Sequence, residues 1–113
     1  MGFCFGRRSD RVSERIKEDQ AIIDYNCRST DVLIAQASGN KDLVARLEEM
    51  KEVLKYLTAS DLDRVFECDK KIGNRIGDLK IALTKSSGEL SQKIDDIISD
   101  IGVAVAERNA FIG

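Results

Sequence analysis

Residues 41–58 read KDLVARLEEMKEVLKYLT, and within them Leu43, Leu47, Met50, Leu54 and Leu57 follow one another at steps of 4, 3, 4 and 3. That spacing is the a/d seam of a helix packing its apolar side against other helices. The remaining positions carry Glu48, Glu49, Lys51, Glu52 and Lys55, an ordinary solvated face in which Glu52 and Lys55 are spaced to attract. The seam fixes helix as the local conformation. Its continuation fixes the architecture, because an unbroken register would place Asp61 in the seam while the apolar set resumes at Leu62 and Val65. A turn is therefore expected at 58–60.

Outward from this helix the same three- and four-residue steps recur in both directions. Upstream, Ser9 or Asp10 is a suitable N-cap for a first helix running to about Ala37, with Val12, Ile16, Ile23, Cys27, Thr30, Ile34 and Ala37 along one side. Ser38, Gly39 and Asn40 then end it, glycine being the residue that most readily closes a helix. Downstream, Ser60 followed by Asp63 reads as a capping box with a shorter acid, opening a third helix over about 61–85. Its seam is Leu62, Val65, Cys68, Ile72, Ile76, Leu79 and Leu83, with Phe66 flanking. Ser86 and Glu89 repeat the capping signal for a last helix carrying Leu90, Ile94, Ile97, Ile98, Ile101 and Val105.

Four amphipathic helices with short connections fold as an all-α, up-down-up-down four-helix bundle. Without a break at 86–88 the last two helices would fuse, giving instead a long helical hairpin or coiled coil. One domain over 10–113, preceded by a flexible tail at 1–9, is the organisation expected of a 113-residue chain. Leu, Ile, Val and Phe supply 32 of the 113 residues, enough apolar surface for a core. The chain contains no Pro, and its eight Gly include none in a phosphate-cradling loop.

Composition excludes several kinds of function. With no His, the usual neutral-pH base and the commonest metal ligand are both missing, so His-dependent catalytic and zinc sites cannot form. Eighteen basic residues against 20 acidic ones leave a net charge of −2, which argues against nucleic acid as a partner. Three cysteines, Cys4, Cys27 and Cys68, show neither disulfide nor zinc spacing and suit a reducing, cytoplasmic setting. Cys27 and Cys68 fall on apolar stripes, whereas Cys4 is the thiol expected to be accessible. Asp96 with Asp100, and Asp63 with Glu67, have i to i+4 spacing but lack the oxygen ligands of a calcium loop. They read as a solvated face. No cofactor, no metal and no enzymatic activity are expected.

Three features point toward binding. Gly73 and Gly77 lie one helical turn apart beside Ile72 and Ile76, spacing that suits close approach of another helix backbone. Residues 101–106, IGVAVA, are apolar on every side, which calls for cover on every side. Val103, Val105, Phe111 and Ile112 are accordingly the residues expected to meet a second copy of the chain or another helical protein. The alternative partner is an anionic membrane surface, contacted by Phe3, Cys4, Phe5, Arg7, Arg8, Arg11 and Arg15, within a segment 1–17 of net charge +3. Residues 86–113 carry Lys93 and Arg108 against Glu89, Asp95, Asp96, Asp100 and Glu107, the opposite sign.

Gly2 and Cys4 also raise N-terminal lipidation, although Gly6 stands where the myristoylation pattern takes Ser or Thr. The opening Met1-Gly2, Phe5-Gly6-Arg7-Arg8 and Arg11-Val12 resembles the start of some ESCRT-III membrane-remodelling subunits over about a dozen residues. The acidic remainder departs from the basic core of that family, and no function is carried over. The expectation from sequence is a non-catalytic helical interaction or assembly module that self-associates, with peripheral membrane association as the alternative.

Overall fold

In the computed structural model, which describes residues 3–85 and 92–112 and the side chains from Arg11 onward, four helices pack side by side. They are α1 (Phe3–Gln36), α2 (Lys41–Lys55), α3 (Asp63–Lys85) and α4 (Gln92–Ile112). Helix α1 begins at Phe3, ahead of the Ser9 or Asp10 start expected from the capping pattern. The capping signal at Ser86 and Glu89 lies outside the described residues. The antiparallel packing of α3 on α4, seen in the Lys71–Glu107 and Arg75–Asp100 ion pairs, is that of two separate helices.

The first turn is closed locally. The Asn40 side chain caps α2 by accepting a hydrogen bond from the Leu43 amide at 3.1 Å, while the Asn40 amide donates to Ala37 O at 2.8 Å. The second connection is longer than the sequence suggests: α2 stops at Lys55, three residues short of Thr58, and α3 starts at Asp63 instead of Asp61. Leu62, just before α3, accepts through its carbonyl from the Val65 and Phe66 amides, and Ser60 Oγ accepts from the Leu62 amide at 3.1 Å. The expected box at Ser60 and Asp63 is replaced by this arrangement.

The reason lies in how the helices are placed. Their directions alternate, but α1 packs on α2 and α3, and α4 packs on α3 and α2, so that α2 and α3 stand at diagonal corners. The fold is two antiparallel hairpins, α1–α2 and α3–α4, laid against each other with α1 parallel to α3 and α2 parallel to α4. Asn26 beside Gly73, and the ion pair of Arg46 with Asp95, mark these two parallel alignments. The segment between α2 and α3 must cross the end of the bundle, and the last turn expected of α2 unwinds to let it do so.

Helix lengths set the outline. At about 1.5 Å per residue the 34-residue α1 is more than twice as long as the 15-residue α2, and its first turns extend past the end of α2. The long axis of the molecule is 60 Å against 23 and 19 Å for the other two. Val12 and Ile16, expected in the core, lie on this overhang and are 42% and 38% exposed.

The main apolar cluster joins Leu33 and Ala37 of α1 to Leu43, Leu47, Met50 and Leu54 of α2 and to the Ile and Leu seams of α3 and α4. Each fully buried Leu or Ile contributes roughly 1.5 to 3 kcal/mol. The α1 seam runs through Asp19, Ile23, Asn26, Thr30, Leu33 and Ala37, all buried, with Cys27 and Ile34 only partly covered. Half of that seam is polar, and those polar residues build the most distinctive feature of the interior.

Candidate functional site

At the end of the bundle crossed by the α2–α3 connection, Asp19 of α1, Asp69 of α3 and Arg108 of α4 come together with no exposure to solvent. Each continues the heptad stepping of its own helix: Ile94, Ile98, Ile101 and Val105 lead to Arg108, and Asp69 lies between Val65 and Ile72. The sequence places charge where the packing places a core residue. Arg108 pairs with both carboxylates, bridging the diagonal that separates α1 from α4.

Arg108 Nε donates to Asp69 Oδ1 at 2.7 Å, and its Nη2 is shared among Thr58 O at 2.7 Å, Asp19 Oδ2 at 3.1 Å and Asp69 Oδ2 at 3.3 Å. Asp19 Oδ2 also accepts from the Ser60 amide at 2.8 Å, which ties the crossing segment to α1. Asn26 Nδ2 donates to Asp69 O at 3.3 Å, and Thr30 Oγ1 donates to Asn26 O at 2.8 Å. Arg108 Nη1 and Asp19 Oδ1 are buried with no hydrogen-bond partner among the described residues.

Two carboxylates share one guanidinium, leaving the ionised group one negative charge in excess in a site closed to water. Burial, reinforced by the Asp19 carboxyl, pushes the Asp69 carboxyl up to about 7 despite the opposing pull of Arg108. Taking up one proton makes the layer neutral. Because this carboxyl is sealed in and held by Arg108, its raised pKa ties the stability of the fold to pH.

Outside this layer, two grooves run along opposite long sides of the molecule. Between α1 and α3 a cavity of about 500 Å³ has Leu33, Ile76 and Gly77 in its lining, Tyr25 and Val32 exposed beside them, and Arg28 and Lys80 as its charged residues. Between α2 and α4 a cavity of about 480 Å³ is lined by Glu52, Val53, Tyr56 and Ile112, with Thr58 and Arg108 of the polar layer in its wall. A smaller one of about 180 Å³ adjoins it at Val53 and reaches Glu49, Met50 and Val105. Tyr56, 71% exposed, is the most exposed large apolar side chain among the described residues.

The residues singled out from sequence divide among these places. Gly73 faces Asn26: a Cβ there would lie 3.0 Å from Asn26 Oδ1, so its role is to admit a side chain of the same chain. Gly77 has nothing within 4 Å of a Cβ and stands open in the α1–α3 groove. Val105 is buried between α2 and α4, Ile112 lines the groove beside it, and Val103 is exposed on the outer side of α4. Phe111 is partly exposed, with the Arg64 guanidinium 5.7 Å from its ring centre. The stretch 101–106 is not enclosed: Ile101, Ala104 and Val105 face inward while Gly102, Val103 and Ala106 face out.

Of the basic residues proposed for a membrane, Arg11 is exposed, but Arg15 pairs with Asp63 and lies 4.9 Å above the Phe66 ring. The side chains of Phe3, Cys4, Phe5, Arg7 and Arg8 lie outside the described ones. Among the described residues no group of His, Cys, Asp or Glu side chains could hold a metal ion, and no helix is long and apolar enough to cross a membrane.

Fold and interior together define an all-α four-helix bundle with a buried charged layer at one end. Compared with family models, curated proteins and solved structures, the chain matches none.

Proposed function

We propose that this protein is a non-catalytic helical assembly module that binds copies of itself. The observation that carries this reading is the pair of grooves on opposite sides of the bundle, each bordered by large exposed apolar residues: Tyr25 and Val32 on one, Val53, Tyr56 and Ile112 on the other. Apolar residues gathered along a groove favour a macromolecular partner, because covering them removes apolar area from water. The 101–106 stretch is a weaker support than its composition suggests, since its large side chains other than Val103 are already covered within the chain.

The test is absolute mass by light scattering behind a sizing column at two widely separated concentrations. Self-assembly predicts a mass that rises with concentration above that of a 12.6 kDa monomer. A monomer at both concentrations would refute it.

A second reading, peripheral binding to an anionic membrane, draws on the α1 overhang, where Val12 and Ile16 are exposed one turn apart near Arg11 and Lys17. It predicts co-sedimentation with phosphatidylserine vesicles that is lost at high salt and in a Val12→Asp/Ile16→Asp variant.

A further inference from the structure

The two grooves differ in charge as well as in position. On the α1–α3 side the charged residues are Arg28 and Lys80, and neither takes part in an ion pair among the described residues. On the α2–α4 side Arg46 is paired with Asp95 and Arg108 is held in the polar layer, and the acidic residues of the lining, Glu49 and Glu52, form no ion pair among the described residues. One groove is thus apolar with two cations in its lining, and the opposite one apolar with two anions, none of the four in an ion pair among the described residues. The hairpin arrangement guarantees the opposition, because α1 and α3 form one long side of the bundle and α2 and α4 the other.

From this we infer that the α1–α3 groove of one copy receives the α2–α4 face of a second copy, so that copies stack front to back. The inference rests on the self-assembly proposed above and specifies its geometry. A two-fold dimer through either face would set Arg28 and Lys80 against Arg28 and Lys80, or Glu49 and Glu52 against Glu49 and Glu52, and like charges facing each other oppose association. Front-to-back contact sets each pair against its opposite. It also places exposed Val53 and Tyr56 against Tyr25 and Val32, with open Gly77 leaving room for the incoming side chains. Such a contact uses two different patches and leaves one of each free at the ends of the stack, so it propagates into a ring or a filament instead of stopping at two.

Charge exchange tests the geometry on the full chain by sedimentation velocity. Arg28→Glu/Lys80→Glu makes both sides acidic, and Glu49→Lys/Glu52→Lys makes both basic. All four residues lie on the surface, and unchanged helicity and melting temperature verify that each variant folds. Each variant alone should associate at least about tenfold more weakly than the unaltered chain. An equimolar mixture should recover association, because every acidic side then meets a basic one. If the unaltered chain associates and either variant does so equally well, the front-to-back contact is overturned while self-assembly stands. If the unaltered chain remains a monomer, self-assembly and its geometry fall together.

Discussion

Replacing Arg108 with Met would leave a side chain of similar length in the same space but strand Asp19 and Asp69 with no cation. Both carboxylates are fully buried, and Arg108 supplies two hydrogen bonds to Asp69 and one to Asp19. Removing one partner from a buried charged group costs about 3 to 5 kcal/mol, mostly because the remaining charge is left without compensation. Set against a total stability of roughly 5 to 15 kcal/mol for a domain, that is a large fraction. The midpoint of thermal unfolding should fall by about 15 °C, at some 4 °C or more per kcal/mol for a chain of this length.

The loss has a pH signature. Burial already raises Asp69, and loss of Arg108 removes the pull that opposes it, so folding takes up protons and the variant is least stable at high pH. Its deficit at pH 8 should exceed its deficit at pH 5. Urea unfolding followed by circular dichroism at both pH values measures this. The triple variant Asp19→Leu/Asp69→Leu/Arg108→Met, which removes every charge in the layer, should recover most of the loss. A deficit below about 1 kcal/mol for Arg108→Met, or a triple variant no better than the single one, would refute the view that uncompensated charge is what Arg108 prevents.

The unaltered chain should itself lose stability as pH rises from about 4 through 7, because folded Asp69 retains its proton to about 7 whereas the unfolded carboxyl releases it near 3.9. Asp69→Asn should flatten that slope in a series of urea midpoints. Gly77→Ala should stabilise by up to about 1 kcal/mol, since helix propensity improves and nothing lies within 4 Å of the new Cβ. Gly73→Ala should show no such gain, because its Cβ would press on Asn26 Oδ1 at 3.0 Å, and equal melting temperatures for the two variants would contradict this contrast. Asn40→Ala, which removes the cap on the Leu43 amide, should cost about 1 kcal/mol by the same unfolding measurement.

The fold was legible where the core is apolar. Leu43 to Leu54 of α2 and Ile72 to Leu83 of α3 are buried as their spacing requires, because at these positions hydrophobic periodicity and packing carry the same information. The α1 side was misplaced where they diverge. Val12 and Ile16 continue an apolar stripe in the sequence but lie where α1 extends past the end of α2, which leaves them 42% and 38% exposed, a matter of relative helix length. Thr30 lies in the seam as its spacing requires, but Asp19 and Asn26 occupy the same seam while looking like surface residues, and the same disguise hid Asp69 and Arg108. A signal did exist: extending the 4-3-4-3 steps from Ile94 through Val105 lands on Arg108, and from Leu83 back through Ile72 lands on Asp69. What periodicity could not supply is that these breaks fall at the same level and have opposite sign, since that depends on which helices share a corner. Of the interaction residues, Val103 and Ile112 are at the surface, while Gly73 serves its own chain and Val105 belongs to the interior.

The contact between Arg108 and Asp19 joins residues 89 positions apart, at opposite corners of the bundle. As the chain leaves the ribosome, the α1–α2 hairpin can form from neighbouring residues, but the layer at the other end has two acids and no base until synthesis has reached Arg108. Until then hydration is the better state for Asp19 and Asp69, which opposes closing the end of the bundle that holds them. The last helix therefore does more than add apolar surface: it delivers the charge that pairs both buried carboxylates, and so makes synthesis of α4 a condition for completion of the fold.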